Sequence, residues 1–262
     1  MLFRYLTLFF ALVLQVSVLH AGEKVALVGK GELTPIKKFV MQNVKTYKDP
    51  VADLCADDLT VMVLNQEDVV ALDRLCHVPP KIFVVGLNAT DALLARPKVS
   101  GFFVSSSLAS QLTATQTAVV GAYTVLYSEQ AELKSILQFR KKHPEQELNL
   151  IQVTSSAEAV KALGRNILKS SAVILGSNPD IFNDGFLLTA RKMSLKFLTP
   201  LVGGSSAEQL KKGTVFGQFV SDEQAIEATQ AWLKTGQVTQ PLETLMTNQK
   251  MMGYFGLVVA ND

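Results

Sequence analysis

The chain has 262 residues, of which 48% are hydrophobic and 18% charged, and its formal net charge is +2. That length and apolar content suit one large domain or two lobes with substantial cores. A charge this close to neutral excludes an electrostatic nucleic-acid binder, and no nucleic-acid partner is expected.

Residues 1–21 read as a secretory signal peptide. Arg4 is the only charge ahead of the apolar run Tyr5 to Leu19, and Leu19-His20-Ala21 offers a small residue at the cleavage point. The run is about 15 residues long, short of the roughly 20 that a spanning helix needs. The expectation is a mature chain in the periplasm. Cys55 and Cys76 follow, without a CxxC neighbour or metal spacing. An oxidising compartment permits a disulfide between them, and two buried free thiols are the alternative.

From Lys24 onward, short apolar runs alternate with helical stretches. Lys24–Val28 is a predicted strand ending at Gly29-Lys30-Gly31, and Thr34-Pro35 opens a helix to about Tyr47. Leu59–Leu64 is a strand, Glu67–Cys76 a helix, Lys81–Val85 a strand, Thr90–Ala95 a short helix and Gly101–Val104 a strand that stops at Ser105-Ser106-Ser107. A strand crossing between lobes is expected near Ala118–Leu126, then a helix over Ser128–Lys142.

The second half repeats the pattern more sharply. Leu148–Val153 stops at Thr154-Ser155-Ser156, and an amphipathic segment follows with Ala159, Val160, Leu163, Ile167 and Leu168 at helical spacing. Ala172–Leu175 stops at Gly176-Ser177-Asn178-Pro179-Asp180, and Ile181 to Met193 reads as a helix. Phe197–Val202 stops at Gly203-Gly204-Ser205-Ser206. Gly213–Val220 is a strand and Asp222–Thr235 a helix, and the tail Gln240–Asp262 mixes an extended stretch with a short helix over Gln249–Tyr254. Strands joined by helices imply parallel sheets buried on both faces. The fold class is therefore α/β, with two Rossmann-like lobes joined by a hinge. The divisions are 22–122, 123–239 and a segment 240–262 that returns across the hinge.

In such sheets the ligand crevice lies at the carboxyl ends of the strands. That rule makes Ser105, Ser106, Ser107, Ser177, Asn178, Asp180, Ser205 and Ser206 the ligand-binding candidates, with Tyr127 as a stacking surface beside the hinge. Serines at a helix start could receive an anion, but Ser is also the usual N-cap. Asp180 could hold an amino group or cap the next helix, and Tyr127 could equally be hinge packing. His77 and His143 lie in no catalytic or metal spacing, and the chain has no G-x-S-x-G, P-loop or G-x-G-x-x-G. No enzyme activity, cofactor or metal is expected.

Four stretches carry a family resemblance: Ala172-Val-Ile-Leu-Gly-Ser-Asn-Pro-Asp180, Thr199-Pro-Leu-Val-Gly-Gly-Ser205, Lys211-Lys-Gly213 through Asp222, and Asn248-Gln-Lys250 to Leu257. They resemble the ABC-transporter substrate-binding proteins of the periplasmic-binding-protein-like I fold, in particular the uncharacterised and tryptophan/tyrosine-type group. The first lobe is short for that family, and Ser105-Ser-Ser-Leu-Ala-Ser110 stands where it commonly has Asp-Pro. The resemblance implies a periplasmic solute-binding component, with a small polar or amino-acid-like ligand between the lobes and a membrane permease as partner. The departures imply an alternative, a binding-protein-like accessory or sensor subunit that engages another membrane protein.

Overall fold

The computed structural model describes residues 24–28, 35–87, 93, 95–104 and 107–258. The segment expected to be a signal peptide, Ser105, Ser106 and most of the short helix expected over Thr90–Ala95 lie outside the described residues.

The first sheet is built from β1 (Lys24–Val28), β2 (Lys45–Tyr47), β3 (Leu59–Val63), β4 (Lys81–Leu87) and β5 (Val99–Phe103), in the order β2-β1-β3-β4-β5. Every pairing is parallel. The helices α1 (Pro35–Asn43) and α2 (Gln66–Leu75) connect strands. All of Leu59-Thr-Val-Met-Val63 is buried, as expected of a strand covered on both faces. Its side chains alternate between two cores. Val61 and Val63 pack with Leu72 and Val84, while Met62 packs with Leu27, Val40 and Phe83. The helix expected to reach Tyr47 stops at Asn43, and Lys45-Thr-Tyr47 pairs with Ala26–Val28 as an edge strand. A β-branched and an aromatic residue favour that extended form. Gly101 sits at φ +137 in β5, where a Cβ would lie 2.1 Å from the Val84 carbonyl oxygen, so no larger residue fits this pairing.

The second sheet holds β6 (Tyr123–Tyr127), β7 (Leu148–Gln152), β8 (Ala172–Leu175) and β9 (Leu201–Gly203), in the order β7-β6-β8-β9 and again parallel. Its helices are α3 (Leu108–Ala118), α4 (Gln130–Lys142), α5 (Ser156–Asn166), α6 (Asp184–Phe197) and α7 (Glu208–Lys212). Phe197 and Leu198, expected to begin a strand, end α6 instead. Leu198 adopts a left-handed conformation (φ 54), so β9 begins only past Pro200. β10 (Phe216–Phe219) follows, then α8 (Asp222–Thr235), β11 (Thr244–Thr247) and α9 (Gln249–Phe255). β10 and β11 form an antiparallel pair, joined to β9 by the bond from Val215 N to Leu201 O, 2.8 Å.

The cores show where the chain passes between lobes. Leu108 and Leu112 of α3 pack with Tyr123, Val125 and Ile174, in the second lobe. The first passage therefore falls between Phe103 and Leu108, upstream of the Ala118–Leu126 stretch expected to cross, and β6 is an internal strand of the second sheet. Trp232 of α8 packs in the first lobe with Leu27 and Met62, its ring stacked 3.7 Å from Phe83. Met251 and Met252 of α9 lie back in the second core. Among the described residues three passages thus join the lobes. Two of them are tied together: Gln240 accepts from Phe103 N at 3.3 Å and donates to Phe103 O at 2.8 Å, and Glu243 accepts from Ser107 N at 3.2 Å.

Cys55 and Cys76 form a disulfide. It joins the turn before β3 to the residue after α2, at the amino end of the first sheet. Among the described residues no helix is long and apolar enough to cross a membrane.

Candidate functional site

Parallel strands carry all their carboxyl ends to one edge. In the second lobe that edge is made by Ser128-Glu129 after β6, Thr154-Ser155 after β7, Gly176–Asn183 after β8 and Gly203–Ala207 after β9. Of the first-lobe counterparts, the loops after β1 and β4 and Ser105 and Ser106 lie outside the described residues, while Leu64-Asn65 after β3 is described, with Asn65 accepting from Asp68 N at 3.2 Å.

Buried Glu132 organises the second-lobe edge. It sits at the third position of α4, whose capping box with Glu129 turns its side chain back over the helix start. Its Oε2 accepts from Ser128 N at 2.7 Å and Glu129 N at 3.1 Å. Its Oε1 accepts from Ser177 N at 2.6 Å and Ser177 Oγ at 3.0 Å. One carboxylate thus clamps the ends of β6 and β8 together. Gly176 makes room for it, since a Cβ there would stand 2.7 Å from Glu132 Oε1. The Glu132 oxygens face backbone donors at a helix N-terminus, a position that favours acceptors.

Two amides brace the rest. Buried Gln209 accepts from Ser205 N at 3.2 Å and donates to Ser205 Oγ at 2.8 Å and Phe182 O at 3.0 Å. Buried Gln111 donates to Gln218 O at 2.8 Å and accepts from Gln218 N at 3.0 Å, matching the β10 backbone as a neighbouring strand would. At β7, Glu158 Oε2 accepts from Thr154 N and Oγ1, both at 2.8 Å. Those bonds, the backbone one foremost, hold the Glu158 carboxyl below the usual glutamate range.

The candidates named from the sequence divide accordingly. Ser177 and Ser205 are buried, and their polar atoms are engaged by Glu132 and Gln209. Ser107 caps α3, accepting from Ser110 N at 3.1 Å. Tyr127 is 8% exposed and packs in the second core. Asn178 is half-buried, and its side chain accepts from Asp180 N at 3.0 Å and donates to Glu129 at 3.4 Å. The cap of α6 is Asn183, accepting from Phe186 N at 3.1 Å, so the exposed Asp180 carboxylate is not used as a cap. Ser206 is half-buried beside it on the same edge. The structure brings Asn178, Asp180 and Ser206 to the second-lobe rim, with Glu129 added.

In the first lobe, Asp68 near the start of α2 is buried, and its Oδ2 has no hydrogen-bond partner. Burial raises its carboxyl above the usual aspartate range. Of two surface depressions, about 590 and 480 Å³, one runs along α5 beside the outer strand β7 from Ser155 and Glu158 at the second-lobe edge, and the other lies at the amino ends of β1 and β3.

The chain matches no protein-family model and no curated protein. Solved structures do resemble it. A ligand-free, open substrate-binding protein with adhesive properties from Clostridium difficile superposes with a TM-score of 0.62 at 11% identity, covering 89% of this chain and 95% of that one. A Streptococcus ABC domain solved in complex with L-Trp gives 0.61 at 12% identity, covering 91% and 96%. A conserved domain protein from Vibrio cholerae gives 0.58 at 14% identity, also covering 91% and 96%. The chain therefore has the two-lobed α/β fold of the periplasmic-binding-protein-like I class.

Proposed function

We propose that the protein is an extracytoplasmic solute-binding component of an ABC-type transport system. Its lobes close on a small polar or amino-acid-like molecule, and the closed form is recognised by a membrane permease. The observation that supports this most is the pairing of two parallel sheets through three passages, tied at Gln240 and Glu243. Such a hinge lets ligand shift an open–closed population. Exposed Asp180 and half-buried Asn178 and Ser206 offer the second-lobe contacts, with Asp180 suited to an ammonium group. Catalysis has no part in this reading.

A second reading, an accessory or sensor subunit that keeps the fold but engages a membrane protein directly, draws support from Ser177 and Ser205. Their polar atoms are already spent on the chain's own Glu132 and Gln209. Titration calorimetry against amino acids (L-Trp included) and aromatic acids separates the two. Saturable heat with one of them, weakened about tenfold or more by Asp180→Ala combined with Ser106→Ala, supports the first reading. Absence of heat across the panel sinks it.

A further inference from the structure

Two helices of the second lobe carry their cations toward one end, and the acid that opens the second of them, Asp184, is paired with Lys212 at 2.6 Å. Between Glu158 and Asp180 the chain carries Lys161, Arg165 and Lys169 and no carboxylate, and between Asp184 and Glu208 it carries Arg191, Lys192 and Lys196 and no carboxylate. These cations lie on α5, on the turn that follows it and on α6. Both helices pack on the same face of the sheet and meet where Gly164 approaches Met193. Because they run antiparallel to the strands, their acidic starts lie at the cleft edge and their basic ends at the opposite tip.

That tip also carries bare apolar side chains. Leu168 is 73% exposed, Leu198 66% and Val120 94%. Hydrogen bonds link the segments that carry them: the Thr199 side chain donates through Oγ1 to Ile167 O at 3.1 Å, and Ser171 N donates to Ala122 O at 2.7 Å. Leu198 occupies the left-handed region that Gly or Asn adopts at lower cost, and gains no burial by it. Lys169 and Lys196 adjoin this patch in sequence or one residue away, and both are exposed. The acids near the same end are Glu145 and Glu147, which follow Arg140, Lys141 and Lys142 at the end of α4.

We propose that this tip rests on an anionic lipid surface. Leu168, Leu198 and Val120 enter the headgroup boundary while Lys169 and Lys196 pair with lipid phosphates. Exposed apolar tips ringed by cations are the composition such an interface selects, and an acidic protein partner would not require the apolar tips. The cleft edge, at the far end of the lobe, stays open to solvent. This inference is independent of whether a solute binds.

The test is vesicle flotation of the protein as the cell exports it, on phosphatidylcholine vesicles with and without phosphatidylglycerol. Binding to phosphatidylcholine alone measures any contribution of the N-terminal segment. The expected result is partitioning that rises with phosphatidylglycerol and falls with salt. Lys169→Gln with Lys196→Gln should lower it about 25-fold, at roughly fivefold per lysine. Leu168→Asn with Leu198→Asn should lower it about tenfold or more, and the thermal midpoint should hold because Asn suits the left-handed position. Partitioning indifferent to phosphatidylglycerol, or unchanged by the leucine pair, overturns the proposal. A solution dimer that the same substitutions dissolve would assign the tip to self-association and overturn it as well.

Discussion

The two lobes share a parallel-sheet plan but are braced at opposite ends. In the first lobe the covalent tie, Cys55–Cys76, lies at the amino end of the strands, away from the cleft. In the second lobe the bracing is polar and lies at the carboxyl ends, where Glu132 and Gln209 cross-link successive loops. The second-lobe rim is thus held by the chain's own polar groups, while the first-lobe rim takes no support from the staple. Preorganised polar groups on one side of a cleft reduce the ordering cost of binding.

The largest expected loss comes from neither brace but from the element that crosses between lobes. Trp232→Ala removes the α8 ring stacked on Phe83 and should destabilise the first lobe by about 3–5 kcal/mol, read by chemical denaturation. Cys55→Ser with Cys76→Ser opens a loop of sequence separation 21 and should cost about 3 kcal/mol, with no change at the second-lobe rim. Glu132→Ala strips the acceptor from the half-buried donors of Ser128 and Glu129 and from the buried donors of Ser177. A loss of about 2–3 kcal/mol is expected, with faster amide exchange confined to the loops after β6 and β8. If exchange rose equally in both lobes, the contrast between local braces would fail.

The smallest effect is a pH dependence. Glu158 has a lowered carboxyl pKa in the folded chain, so its contribution is present above the ordinary glutamate range and fades as pH falls through the depressed folded value. Glu158→Gln should remove a shallow slope in thermal midpoint between about pH 5 and pH 3, measured by circular dichroism. Exposure of the group keeps that slope small.

Strands β3, β7 and β8, and helices α4 and α5, were legible because apolar runs and helical periodicity are local signals. Helix α3 was not, because buried Gln111 and Thr115 interrupt its inward face. Gln111 is tolerated there only because it meets the backbone of Gln218, 107 residues later. The same limit applied at the site. Small polar residues at strand ends announced the second-lobe edge, but the partner that engages Ser177 lies 45 residues upstream. Glu132 reads in sequence as an ordinary first-turn carboxylate, and only its S/T-x-x-E-like place in a capping box hints at a turned-back side chain. The lobe crossing was misplaced for a related reason. β6 is as apolar as a connecting strand, and only packing shows that α3 precedes it in the second core.

The most direct test of the central claim is native mass spectrometry of the protein purified from the cell that makes it, followed by gentle denaturation to release bound molecules. A solute-binding role predicts a stoichiometric small molecule, lost in the Asp180→Ala variant. An empty protein that also shows no thermal shift across a metabolite panel would contradict it and turn the search to membrane partners.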